Sequence, residues 1–158
     1  MKKQAWQYVG WILLAEAVGL LAGWLTRGSM DLYAQQIVKP PFSPPGVLFP
    51  VVWTILYALM GIGAARVSLS EKSPQRSQAL NLFVVQLVVN FFWSLLFFNA
   101  EPFGFAYLWL ILLIVLVAWM VYAFWKVDPL AGALQLPYLL WIIFASYLNL
   151  GVWLLNRA

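Results

Sequence analysis

Side chains able to hold a flat ligand recur at helical spacing inside otherwise apolar stretches of this sequence. Gln86, Asn90, Trp93 and Phe97 follow one another at steps of four, three and four, so a helix puts them on one face. Trp53, Tyr57, Met60 or Gly61, and Ala64 make a second such face, and Tyr138, Trp141, Ala145 and Leu148 or Asn149 a third. Each face sets an aromatic beside small or amide residues. Rings stack on a flat apolar ligand, small residues leave it room, and an amide fixes its orientation. Asn90 carries two readings: a hydrogen bond to a ligand, or one to a neighbouring helix, a common joint in membrane bundles. A single tryptophan reads as packing, but Trp53, Trp93 and Trp141 together, on faces with Asn90 and Ala145, point to a pocket.

What is missing narrows the chemistry further. The chain has neither histidine nor cysteine. Disulfides, thiolate chemistry, most nucleophilic triads, zinc sites and histidine-ligated haem are therefore excluded, and the sequence calls for no metal and no resident cofactor. Noncovalent capture of a ligand remains.

The elements that must position these residues are membrane helices. Hydrophobic residues make up 65% of the chain, charged residues 9%, and mean hydropathy is +0.87, too little polar surface to coat a soluble globule. The fold class is an all-α membrane protein, a five-transmembrane-helix bundle in a single domain over residues 1–158. Its segments lie at about 6 to 26, 46 to 68, 79 to 98, 104 to 125 and 132 to 155. The first segment resembles a secretory signal only in Lys2 and Lys3, since its length and the Glu16 inside it argue for a spanning helix. Trp6, Trp24, Trp125 and Trp153 fall near segment ends, where indole favours the headgroup boundary. The formal charge of +4 does not indicate a nucleic-acid partner, because basic residues at helix ends serve topology and lipid headgroups. Lys2, Lys3, Arg66, Lys72, Arg76 and Lys126 on one side outnumber Arg27, Lys39 and Arg157 on the other, which places the N-terminus in the cytoplasm for a multi-pass protein of a bacterial cell membrane.

The connection at 27–45 is long for so compact a chain and carries Tyr33, Lys39, Phe42 and four prolines, which together predict an ordered lid. Pro40, Pro41, Pro44 and Pro45 keep its end extended, so the second helix starts near Gly46. SEKSPQRS, residues 70–77, reads as a polar turn. Ala15, Gly19 and Gly23 form a small-residue series that suits either a second copy of the chain or packing within one protomer. On the third segment, Val85, Val88, Val89 and Phe92 lie opposite the amide stripe. An ionised carboxylate at Glu16 would be costly in the bilayer, which predicts a protonated or hydrogen-bonded group.

KPPFSPP, VLFPVVWTILYALMG, QLVVNFFWSLLFF and PYLLWIIFASYLN, in that order and spacing, resemble the TspO/MBR family, the tryptophan-rich sensory proteins, translocator proteins and peripheral-type benzodiazepine receptors. The likeness covers almost the whole chain. It implies a five-helix homodimeric membrane protein whose cavity is closed by the first loop and binds porphyrins, sterols and isoquinoline or benzodiazepine drugs. The resemblance puts the ligand-binding positions at Tyr33, Pro44, Trp53, Tyr57, Asn90, Trp93, Trp141, Ala145 and Leu148. Two departures stand out. Leu32 precedes Tyr33 where the family carries tryptophan, which implies a looser lid, and Leu150 and Leu154 replace the tyrosine and basic residue of the cholesterol motif.

Three functions fit: a receptor and sensor for porphyrin-like tetrapyrroles, a transporter of them, and an enzyme degrading porphyrin in light and oxygen through Trp53 and Trp141. The first is favoured. Transport finds no paired carboxylate relay, nucleotide motif or inverted repeat, and the enzyme finds no general base or nucleophile.

Overall fold

A computed structural model describes residues 2–100 and 102–156; the side chains of Met30, Asp31, Leu32, Ala34 and Ala100 lie outside that description. The expectations attached to Leu32 and Arg157 therefore fall outside the described residues. Six α-helices and one π-helical segment build the bundle: α1 Lys2–Gln36, α2 Leu48–Ser68, α3 Pro74–Ser94, the π segment Leu95–Ala100, α4 Phe103–Val127, α5 Pro129–Leu134 and α6 Leu136–Asn156. Five stretches are long and apolar enough to cross a membrane, the fifth being α5 and α6 together.

The first connection is shorter than the predicted 27–45 lid. α1 runs on to Gln36, leaving residues 37–47 as the loop. Hydropathy marks where the bilayer ends, not where the helix does. Between Arg27 and Gln36 only Gly28 weakens a helix, and the first proline is Pro40. The remaining loop is strapped to α6. Asn156 accepts from Val38 N at 3.0 Å and donates to Val38 O at 2.7 Å, and the Tyr147 hydroxyl donates to Pro41 O at 2.6 Å. Gly151 lets Pro40 seat on α6, since a Cβ there would lie 2.6 Å from the proline ring.

α3 starts at Pro74, earlier than hydropathy indicates, because local chemistry starts it: Ser73 Oγ accepts from Arg76 N at 3.0 Å, with proline in the first turn. The last span is interrupted at Gln135. Pro137 has no N–H to offer Ala133 and its ring crowds that carbonyl, so α5 and α6 meet at a break. Asp128 opens α5 by accepting from Leu130 N at 3.3 Å, and its other carboxylate oxygen accepts from Arg66 Nε at 2.6 Å, tying α5 to the end of α2.

α1 packs chiefly on α2, α3 on α4, and α4 also on α5 and α6. One half of the bundle is a closed apolar core of Met60, Phe83, Leu110, Leu113, Val117, Met120 and Phe124, all fully buried. Phe83 stacks on Phe124, and Trp11 meets Phe83 edge-on. Gly61 allows α1 and α2 to touch there, because any Cβ would run into the Ile12 backbone. The outer surface is lipid-like, with Leu20, Leu108 and Leu140 largely exposed, as are Trp6, Trp24 and Trp125 at segment ends.

Candidate ligand cavity

The other half of the bundle, toward the 37–47 loop, encloses a cavity of about 420 Å³, within the size range of small-molecule sites. Its walls come from α1, α2, the end of α3 with the π segment, and α6. The three faces predicted from spacing meet here and then divide the work. Trp53 and Tyr57 of α2, Trp93 of α3, and Trp141, Ala145 and Leu148 of α6 all border the cavity. Tyr33 borders it too, from the extension of α1 rather than from a loop, packed on Phe97 and Phe98 at ring-centre distances of 5.5 and 5.3 Å. Burial pushes the Tyr33 phenol up to about 12, so it stays a neutral donor. Lys39 Nζ sits 5.1 Å from its ring.

Asn90 and Pro44 are not brought to the wall. Both polar atoms of the Asn90 amide bond to neighbouring helices instead. Its Oδ1 accepts from the Tyr57 hydroxyl at 3.2 Å and its Nδ2 donates to the Tyr138 hydroxyl at 2.7 Å, which in turn donates to Gln86 Oε1 at 2.7 Å. All four side chains are buried. The amide stripe thus splits: Gln86 and Asn90 bind α2, α3 and α6 together beneath the cavity, and Trp93 and Phe97 face it. Trp93 is itself held, its Nε1 donating to Asn149 Oδ1 at 3.1 Å while Asn149 Nδ2 donates to Phe103 O at 2.8 Å. Pro44 lies in the loop strapped to α6.

Several wall residues escaped the sequence reading. Gly19 touches the Tyr57 ring so closely that a Cβ would sit 2.5 Å from it, whereas one at Gly23 would meet nothing within 4 Å. Within the protomer, Ala15 is buried in the core, Gly19 seats Tyr57, and Gly23 borders the cavity. The small-residue spacing was the available signal, but it does not say which partner fills it. Phe98 lies one residue past the regular α3 stripe and reaches the wall from the π turn, which no hydrophobic period encodes. That turn is fastened to α1, Asn99 donating to Leu25 O at 3.1 Å and accepting from Ser29 Oγ at 2.6 Å. Phe49 supports Trp141 edge-on at 6.0 Å, and Trp53 lies 5.5 Å from Tyr57 and 6.1 Å from Tyr138. Leu20 and Trp24 are both on the wall and on the outer surface, so the cavity reaches the lipid side along α1.

Residues 11–154 match the TspO/MBR family. The chain belongs to that family. This TspO/MBR chain is 36% identical over 157 residues to the tryptophan-rich protein TspO of Chlorobaculum tepidum, covering 99% of each. It is 41% identical over 129 residues to protein CrtK of Rhodobacter capsulatus, covering 81% of each, and 34% identical over 151 residues to the translocator protein of Bos taurus, covering 94% of this chain and 89% of that one. The matched residues 11–154 include every described residue of the cavity wall.

Proposed function

We propose that this chain is a membrane receptor that takes flat, hydrophobic, porphyrin-like tetrapyrroles from the bilayer and holds them between Trp53, Trp93 and Trp141. Sterols and isoquinoline- or benzodiazepine-type molecules form the wider ligand class that the family resemblance suggests. One observation carries the proposal: an aromatic-walled cavity lies on the three helix faces where indoles and small residues recur, and it reaches the lipid side beside Leu20 and Trp24. Aromatic walls gain from stacking and close packing on a flat ligand, which matter most for one taken from lipid, where burial of apolar area alone gives no driving force. Among the described wall residues none is histidine, cysteine or methionine, and Tyr33 and Tyr57 offer only weak neutral phenols, so a metal-free porphyrin is favoured over an iron porphyrin that needs an axial ligand.

Titrating the purified protein with a metal-free porphyrin is expected to quench tryptophan fluorescence saturably. A nonaromatic lipid of similar size is expected to quench little. Equal quenching by both would remove the specific cavity from the account.

The Trp53 and Trp141 indoles on the wall also favour a second reading, light-dependent porphyrin degradation. An indole beside an excited macrocycle can donate an electron to it, with oxygen as the terminal oxidant. Phenylalanine keeps most of the apolar wall but is far harder to oxidise. At equal saturation under light, Trp141→Phe is expected to slow loss of the porphyrin absorption band while largely keeping affinity; identical bleaching of both proteins would leave the receptor alone.

A further inference from the structure

Glu16 stands halfway along the first span, Lys2–Ser29, where a carboxyl is expensive to keep and is retained for a reason. It lies on the cavity wall and is the one charged side chain among the described wall residues. The structure gives it no internal partner: the Arg66–Asp128 pair is at the far end of α2, and no cation of the described residues lies within ion-pair distance of Glu16. Partly buried, Glu16 is neither sealed in the core nor fully exposed. One turn further along α1, Gly19 holds the Tyr57 ring against the helix, so Glu16 sits next to the floor on which a ligand would rest. Tyr57 itself cannot answer the carboxyl, because its hydroxyl already donates to Asn90.

A lone carboxyl at this depth gains most from a partner that arrives with the ligand. We infer that Glu16 sets the charge preference of the cavity: it pairs with a basic nitrogen on a flat aromatic ligand and disfavours a carboxylate placed there. The inference rests on the reading of the cavity as a ligand site and specifies its substrate class. A neutral amine reaching the cavity from the bilayer takes the proton of the Glu16 carboxyl. An ammonium and a carboxylate result, hydrogen-bonded to each other, and no net charge enters the membrane. A ligand with acidic substituents must turn them away from Glu16. A charge-assisted hydrogen bond is the strongest noncovalent contact such a wall can offer, and a like charge in low dielectric is correspondingly repelled.

Three probes of one three-ring outline test this in phosphatidylcholine nanodiscs: an aminoacridine, anthracene and anthracene carboxylate. Glu16→Gln keeps the shape of the side chain but cannot take the negative charge. The expected result is a loss of about tenfold or more in aminoacridine affinity, no change for anthracene and tighter binding of the carboxylate, as hydrogen bonds to charged groups imply. Glu16→Asp is expected to keep the order of preference. If Ala145→Phe, which fills the cavity, leaves all three probes bound, the cavity is not their site and the ligand reading falls together with this one. If Ala145→Phe expels the probes but Glu16→Gln leaves their relative affinities unchanged, Glu16 has no part in selection while the ligand reading stands.

Discussion

Replacing Asn90 with leucine is expected to destabilise the bundle by about 2 kcal/mol, more than the loss of an average membrane hydrogen bond. The reason is the asymmetry of the network. Tyr138 keeps an acceptor in Gln86 Oε1, but the buried Tyr57 hydroxyl loses the one it has. A buried donor without a partner costs more than a hydrogen bond contributes on average. A thermal melt of Asn90→Leu run beside a porphyrin titration checks this. A lowered midpoint with affinity kept at temperatures where the variant is folded fits the joint seen between α2, α3 and α6. An unchanged melt with affinity lost would instead put the amide on the ligand. A double variant that also changes Tyr57 to phenylalanine should recover part of the stability, because it removes the stranded hydroxyl.

The largest effect on binding is expected at Ala145. This residue lies on the wall between Trp141 and Leu148, one turn from each, and is nearly buried at 7% exposure. Ala145→Phe projects a ring into the space a flat ligand needs. Porphyrin affinity should fall by about a hundredfold or more, which corresponds to about 2.7 kcal/mol. The fold should survive, since the added ring enters a cavity rather than a packed core, where overpacking strains neighbours. Phenylalanine adds no indole, so tryptophan quenching remains a valid readout. Affinity within a few fold of wild type, in a protein with an unchanged melt, would place the ligand outside this cavity.

These two expectations come from residues that look alike in the sequence. Asn90 and Ala145 each sit a turn from a tryptophan, Trp93 and Trp141, on a face of the same helical period. Spacing alone assigned both to a shared interior. It could not tell the part of that interior which is filled from the part which is empty, because that depends on the sizes and angles of side chains on other helices. Tyr57 and Tyr138 reach Asn90 from two directions and close the space around it. Ala145 instead borders the open cavity, on whose α1 wall Gly23 carries no side chain and a Cβ would meet nothing within 4 Å.

Length and hydropathy determined the five spans, since a bilayer of fixed thickness demands about 20 apolar residues per crossing whatever their partners. The faces carrying Trp53, Tyr57, Trp93, Trp141 and Ala145 followed from the helical period, and four motifs in order were enough to suggest the family. Helix ends were less legible. α1 outlasts its apolar stretch to Gln36, and α3 starts from a serine cap that hydropathy ignores. Only the tertiary structure decided that Gly19 seats Tyr57, that the π turn brings Phe98 to the wall, and that Glu16 borders the cavity. A sequence specifies which side of its own helix a residue occupies; what stands opposite is set by the packing of all the helices at once.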